Sequence, residues 1–217
     1  MSPTSYHTAP PRTAKLQTAD VGSNLCDGFD TWLQPDRDGQ RAPGCHRCYE
    51  EAMPFSHAPS AEPIQTPPEY GISEVGAEHA TLEQLAERFA SERTWWIATA
   101  RPDGRPHAVP IWGVRCEGHL IFGTDQRSVK TKNLVASPQA SLHLESGDKV
   151  AILECTVEHL PAERLPASFV ATYKDKYDIE MDPTDPGALY YRAEPVTLLS
   201  WDEADFVNTA ARWRFSV

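Results

Sequence analysis

The sequence has no apolar run long enough to cross a membrane and no excess of basic residues. A membrane helix needs about 20 consecutive apolar residues, and the 217-residue chain instead carries a formal net charge of -11. Nucleic acids and anionic membranes are bound through a basic face, which such a chain does not readily provide. We therefore expect neither a nucleic acid nor a membrane as a partner.

Cysteine is sparse, and the first residues show no charged start followed by an apolar stretch. Five cysteines are an odd number, which favours free thiols over a disulfide framework. Without a visible secretory signal, we expect a cytoplasmic protein.

A metal site would need more ligands than the sequence groups together. Cys45 and Cys48 form a C-x-x-C pair, with Cys26 upstream and His57 downstream. Such a pair is half of a zinc knuckle or a redox motif, but the second pair that makes a zinc site specific is missing. An incidental pair is the simplest interpretation, with metal binding and redox chemistry as alternatives, and we predict no metal site.

Proline divides the chain into two parts. Ten of the 19 prolines fall in residues 1–76, which show no sustained period of 2 or 3.6. Such a segment buries too little apolar surface to offset the entropy of ordering it. We predict a Pro-rich extension over residues 1–76, disordered or loosely docked, and a globular domain over residues 77–217.

The globular part reads as strands with a few short helices. Thr81 to Gln84 fits a capping box that starts a helix, and the Asp103-Gly104 turn is typical of a hairpin. Strand patterns cover residues 94–100, 106–115, 119–124, 140–144, 149–159, 194–201 and 205–215, with further helices at 128–136 and 161–177. The prediction is a mainly β fold, a barrel of six to seven antiparallel strands, which leaves no exposed edge.

A phosphate site is predicted where the helix at residue 128 begins. Ser128 is followed by Lys130 and Lys132. The first amides of a helix have no intrahelical partner, its dipole favours an anion there, and lysines add charge. Lys130, nearer the helix start, is the predicted direct ligand. The alternative is that Ser128 only caps the helix and the lysines form a solvated face.

The order of these motifs resembles a known family. The sequence from residue 80 to 217 is similar to the pyridoxamine-5'-phosphate-oxidase-like split β-barrel superfamily, in its flavin/deazaflavin oxidoreductase branch. The resemblance is carried by the Asp-Gly turn, Pro110-Ile111-Trp112, Phe122-Gly123-Thr124, the S-x-K-x-x-N-L stretch of residues 128–134 and the closing A-x-R-W-x-F of residues 210–215.

That resemblance implies a homodimer with two cofactor sites at the subunit interface. The cofactor is coenzyme F-420 or FMN. Val109, Pro110, Ile111 and Trp112 would border its ring, and Thr124, Ser128, Lys130 and Asn133 would hold its phosphate end. Trp213 and Arg214 would approach from the partner subunit. No Arg-rich substrate-phosphate motif is seen near the C-terminus, so vitamin B6 synthesis is not expected.

The expected function is hydride transfer between a flavin-type cofactor and a small conjugated organic acceptor. No acid–base pair or activated nucleophile stands out, which fits redox chemistry in which the cofactor carries the hydride. The catalytic residues are therefore unknown. F-420 is favoured over FMN by the S-x-K-x-x-N-L and terminal segments. The alternative is a non-catalytic flavin-, deazaflavin- or haem-binding carrier or sensor of the same fold.

Overall fold

One antiparallel sheet of eight strands organises the protein in the computed structural model, which describes residues 59–215. The strands are β1 (Trp95–Ala100), β2 (Pro106–Ile111), β3 (Gly113–Cys116), β4 (His119–Asp125), β5 (Gln139–His143), β6 (Lys149–Leu160), β7 (Ala188–Asp202) and β8 (Ala211–Arg214). Their order is β2-β1-β5-β6-β7-β4-β3, with β8 on β7. Because β2 and β3, at opposite ends of this order, are joined through Trp112 alone, the sheet curls into a half-barrel. The mainly β prediction is confirmed.

Four short helices flank the sheet: α1 (Leu82–Ser91), α2 (Val129–Ala136), α3 (Phe169–Tyr177) and α4 (Phe206–Thr209). Single 3-10 turns lie at Pro68–Tyr70, Ala162–Arg164 and Glu203–Asp205. The predicted capping box opens α1, where the Gln84 amide donates to the Thr81 hydroxyl and the Thr81 amide donates to the Gln84 side chain. Even α1 has only ten residues, and no helix within residues 59–215 is long and apolar enough to span a membrane.

The predicted second strand, residues 106–115, is two strands, which raises the strand count above the six or seven expected. β2 pairs with β1 and β3 pairs with β4. Between them the chain must pass close to the core, because a Cβ on Gly113 would lie 2.3 Å from a ring carbon of Trp95. The Gly113 amide then donates to the Tyr177 hydroxyl at 2.8 Å.

The predicted strand over residues 205–215 is helical in its first half. Only Ala211–Arg214 pairs with β7, whereas Glu203–Thr209 forms a 3-10 turn and α4. The Thr209 hydroxyl accepts the Asp202 amide at 2.9 Å and donates to the Asp205 carbonyl at 2.7 Å. These side-chain bonds compete with a strand ladder and hold the chain in a turn.

Two apolar clusters fill the fold. The larger lies between the sheet and α1 and includes the fully buried Trp95, Ile97, Phe122, Leu142 and Leu153. The smaller lies under α3 and contains Val114, Ile121, Phe169, Tyr177 and Tyr190. Strand alternation explains the division, because Val114 and Ile121 are paired across β3 and β4 and so share one face of the sheet.

The last part of the predicted extension contacts the sheet. Glu62 and Arg212 exchange two backbone hydrogen bonds, of 2.7 and 2.8 Å, and their side chains form an ion pair of 3.0 Å. Ala61 and Val75 pack against the larger cluster. Residues 1–58, which include Cys26, Cys45, Cys48 and His57, lie outside the described residues. The domain boundary at residue 76 stays a prediction.

Candidate functional site

The start of α2 is an ordered group of hydroxyls. The Ser128 hydroxyl accepts the Thr131 amide at 3.2 Å, and it lies 3.1 Å from the Thr124 hydroxyl and 3.0 Å from that of Thr131. The Lys132 amide donates to the Ser128 carbonyl. Since first-turn amides lack intrahelical partners, those of Val129 and Lys130 remain to meet an external acceptor.

Lys130 is a half-buried cation at this end of α2. Among residues 59–215 it forms no hydrogen bond or ion pair, whereas Lys132, two positions further along the helix, is exposed. Burial lowers the pKa of the Lys130 ammonium, with Asp125 opposing that shift. Burial also lowers the pKa of His107, and the nearby Arg101 and Lys130 cations lower it further. The helix start therefore carries a partly desolvated cation, and the carboxylate that acts on it, Asp125, is exposed and paired with Arg127.

Asn133 connects α2 to the first hairpin. It is only 2% exposed, and its amide donates to the Thr99 hydroxyl at 2.9 Å, which donates in turn to the His107 carbonyl at 3.3 Å. The side chain predicted to bind phosphate is thus engaged in holding α2 against β1 and β2. Thr99 was not predicted, and its only signal is a polar residue at an inward position of an otherwise apolar strand.

β2 runs from His107, which lies near Lys130, to Ile111, the residue before Trp112. His107 and Ile111 are four residues apart, roughly 13 Å of strand. Side chains alternate along it: Val109 is half-buried and Ile111 fully buried, while Pro110 is exposed on the other face. Because β2 is the terminal strand of the described sheet, one edge of its backbone has no strand partner. Val109, Pro110 and Ile111 therefore share this strand but do not present their side chains to one ligand.

Trp112 ends this run, and its indole stacks on Tyr177 of α3. The two rings are 4.6 Å apart and within 7° of parallel. The Tyr177 hydroxyl accepts the Gly113 amide and lies 3.0 Å from the Arg93 carbonyl and 2.7 Å from the Gly113 carbonyl. Burial raises the pKa of Tyr177 to about 12, so this hydroxyl keeps its proton.

Lys176 completes the attachment of α3. Its ammonium donates to the Gly113 carbonyl at 2.8 Å and lies 5.0 Å from the centre of the Trp95 ring. Burial lowers the pKa of this lysine to about 8, although Glu92 opposes the shift. Neither Lys176 nor Tyr177 was predicted as part of the site. The available signal was the pair Tyr173 and Tyr177, which four-residue spacing places on one helical face.

Trp213 and Thr124 lie at different ends of β7. It is 2% exposed, belongs to the larger apolar cluster and has its ring 6.0 Å from that of His79. It faces Leu198 on β7, whereas Thr124 faces Leu189. Nine residues of strand separate those positions, roughly 30 Å. The approach of Trp213 to a cofactor from the partner subunit stays a prediction.

Thiols and metal ligands add no further centre in the part of the chain that is described. Cys116 and Cys155 are free and buried, and burial raises the pKa of Cys155 to about 12. No three His, Cys, Asp or Glu side chains within residues 59–215 group as a metal site.

Comparison with known proteins gives one family match and several structural ones. The family model described as pyridoxamine 5'-phosphate oxidase matches residues 81–202. No curated protein matches the sequence. A conserved hypothetical protein of Mycobacterium tuberculosis shares 22% identity and a TM-score of 0.51, over 60% of this chain and 90% of that one.

Two further solved structures are more distant. An F-420 reductase shares 20% identity and a TM-score of 0.42, over 52% of this chain and 94% of that one. An FMN-binding, pyridoxamine 5'-phosphate oxidase-related protein of Nostoc punctiforme shares 12% identity and a TM-score of 0.40, over 61% and 92%. At these identities the structural matches concern the fold.

Proposed function

Because the chain belongs to the pyridoxamine 5'-phosphate oxidase family, we propose that it is an oxidoreductase that transfers a hydride between a flavin-type cofactor and a small conjugated organic acceptor. Coenzyme F-420 is the first choice of cofactor and FMN the second. The preference rests on the resemblance of residues 128–134 and 210–215 to the deazaflavin-binding branch.

The observation that carries this proposal is the half-buried ammonium of Lys130 beside the start of α2, which makes no hydrogen bond or ion pair within residues 59–215. Asp125 acts on it, but that carboxylate is exposed and paired with Arg127, so an anionic ligand in direct contact would stabilise the partly desolvated cation. The free amides of Val129 and Lys130 point the helix dipole at the same place. The hydroxyls of Thr124 and Ser128, 3.1 Å apart, add donors. This set of groups fits a phosphate.

The rest of the cofactor would extend along β2. The free edge of that strand offers backbone groups to a ligand. Pro110 has no amide hydrogen, so it can offer only its carbonyl. Val109, Pro110, Ile111 and Trp112 would border the ring, with Ile111 contributing backbone because its side chain is buried. When bound, the reduced cofactor supplies a hydride, and water supplies the proton that completes the reduced acceptor.

The protein's own contribution is therefore binding, orientation and charge. Lys130 neutralises the phosphate, and the positive field of Arg101 favours an anionic ligand at this end. Asn133, by holding α2 to Thr99 at 2.9 Å, fixes the distance between the phosphate end and β2.

Two coarser expectations accompany the proposal. We propose a homodimer, in which Trp213 and Arg214 of one subunit lie near the site of the other, and a cytoplasmic location. The unpaired Cys116 and Cys155 are compatible with a reducing compartment.

The experiment is a parallel titration of the purified protein with F-420 and with FMN, followed by ligand fluorescence, and then an acceptor screen with the reduced form of whichever binds. Saturation by one cofactor and its oxidation by a conjugated acceptor support the enzyme. Saturation without turnover across the screen supports the carrier or sensor. Binding of neither cofactor contradicts both.

A further inference from the structure

Trp112 uses one face of its indole and leaves the other without an aromatic or cationic partner in the described chain. Tyr177 covers the first face in a parallel stack at 4.6 Å. The indole is nonetheless only half-buried. Part of the Trp112 side chain is therefore accessible to a ligand.

The cationic and second aromatic neighbours of Trp112 do not lie over that face. The Arg93 guanidinium is 5.5 Å from the Trp112 centroid and 5.7 Å from that of Tyr177. Nearly equal distances to two stacked rings place it beside the stack and not on the outer face of either ring. Tyr173 is 4.7 Å from Tyr177 and 6.5 Å from Trp112. Together with the 4.6 Å between Trp112 and Tyr177, these distances make the angle Trp112–Tyr177–Tyr173 between ring centres close to a right angle. Tyr173 therefore lies beside the stack.

The support of Trp112 is rigid. The Gly113 amide and carbonyl, immediately after it, are bonded by Tyr177 at 2.8 Å and Lys176 at 2.8 Å. The single proton of the Tyr177 hydroxyl is shared between the Gly113 carbonyl at 2.7 Å and the Arg93 carbonyl at 3.0 Å. The backbone at Gly113 and at Arg93 is thereby fixed to α3. Because the Trp112 ring is already ordered, little conformational entropy is lost when a ligand stacks on it.

Two cationic side chains, Arg93 and Lys176, lie near the stacked rings of Trp112 and Tyr177. Arg93 is exposed and forms no ion pair within residues 59–215, while Lys176 is bound to backbone carbonyls. Glu92 acts electrostatically on Lys176 and makes no ion pair with Arg93 in the described part of the chain. A guanidinium at the rim of an aromatic stack suits a carboxylate on a flat ligand.

We propose that the second face of Trp112, with Arg93 at its rim, binds the acceptor, and that the acceptor is a planar conjugated compound that carries a carboxylate. This inference rests on the proposed function, because it assigns a substrate class to the end of β2 where the cofactor ring would lie. It adds Arg93 as a residue that selects an anionic substrate.

The test uses three ligands that separate stacking from charge. Calorimetry measures the binding of 2-naphthoate, which is flat and anionic, of 2-naphthalenemethanol, which is flat and neutral, and of decalin-2-carboxylate, which is anionic and saturated. We expect 2-naphthoate to bind about tenfold more tightly than either other compound, since each loses one of the two contacts. Equal binding of all three contradicts the proposal.

Variants locate the site. Trp112→Leu and Arg93→Gln should each weaken 2-naphthoate binding about tenfold, and Arg93→Gln should leave binding of the neutral alcohol unchanged. Trp96→Leu and Arg164→Gln are matched controls, since they remove an indole stacked on His143 and an arginine paired with Glu158. If Trp112→Leu does not fold, Arg93→Gln still decides. Loss of binding in the controls but not in Trp112→Leu and Arg93→Gln overturns the assignment.

A last arm separates this inference from the cofactor proposal. Titration of 2-naphthoate is repeated with the protein saturated by F-420 or FMN, whichever binds. Unchanged or tighter binding supports an acceptor site beside the ring, whereas displacement shows that the cofactor itself occupies the Trp112 face and refutes an acceptor site there. If neither cofactor binds while 2-naphthoate binding depends on Trp112 and Arg93, the proposed function fails and only the binding surface stands.

Discussion

At the scale of single residues, two lysines two positions apart differ in what surrounds them. Lys130 is half-buried beside His107, and Lys132 is exposed. A helix turns residues i and i+2 to different faces, so this difference follows from sequence spacing. The spacing does not tell which of the two lysines is turned toward the protein, because that depends on where α2 packs against β1.

The first prediction concerns these lysines. Lys130→Ala should weaken binding of the phosphate-bearing cofactor by about 1.5–3 kcal/mol, the range for a hydrogen bond to a charged group. Lys132→Ala should change it by less than about 0.5 kcal/mol, as expected of a screened surface charge. Fluorescence titration of both variants at one salt concentration is the measurement, and equal losses in both would remove Lys130 from the site.

The second prediction concerns Gly113. Any side chain there meets Trp95, whose ring carbon would lie 2.3 Å from the new Cβ. Gly113→Ala should lower the free energy of unfolding by about 2–3 kcal/mol, because a filled core does not yield to added volume without strain. Gly147→Ala, where nothing lies within 4 Å of the Cβ, is the control, and urea unfolding compares the two. A neutral Gly113→Ala would mean that Trp95 can move.

At the scale of elements, α3 anchors the passage from β2 to β3 through its last two residues. Lys176 is the titrating member, with its pKa lowered to about 8 by burial. Between pH 8 and the ordinary lysine range, the unfolded chain holds a proton that the folded chain has released, so stability rises with pH.

The third prediction follows from that sign. As pH rises from about 8 to about 10, wild type should gain stability relative to Lys176→Met, and this gain should be absent when wild type is compared with Lys132→Met. Unfolding curves at several pH values give the differences. Subtracting each variant at the same pH removes the opposing effect of the buried tyrosines and Cys155, whose raised pKa values lower stability at alkaline pH.

Elements also show where sequence patterns are sufficient. The capping box at Thr81 and the Asp103-Gly104 turn were predicted because each depends on neighbours three or four residues away. The break at Trp112 was not, because it depends on Gly113 meeting Trp95 and on Tyr177, 64 residues further along the chain. The site divides in the same way: Ser128 and Lys130 are local signals, whereas Thr99, Arg93 and Tyr177 enter only through tertiary packing.

At the scale of the whole molecule, residues 59–76 belong physically to the sheet they cover. Glu62 bridges to Arg212, and its carboxylate also lies 3.6 Å from Arg214. Gly76 lies so close to α4 that a Cβ would be 1.9 Å from the Asn208 carbonyl oxygen. The segment therefore shields the outer edge of β8.

The fourth prediction compares two shortened chains, one that begins at residue 59 and one at residue 77. Both should fold, but the shorter one should be less stable by about 2–4 kcal/mol, since it loses two backbone hydrogen bonds and the packing of Ala61 and Val75. Thermal and urea unfolding measure the difference. Equal stability would show that residues 59–76 contribute nothing, and aggregation of the shorter chain would place the domain boundary before residue 77.

β7 has a consequence for how the protein is made. Its fifteen residues pair with β6 along one edge, and with β4 and then β8 along the other. β4 and β6, which are synthesised earlier, therefore cannot be joined into one sheet before β7, which ends at Asp202, has been made. A nascent chain halted before that point can form the hairpin of β1 and β2 but cannot complete its sheet, so the sheet should form only after β7 has left the ribosome.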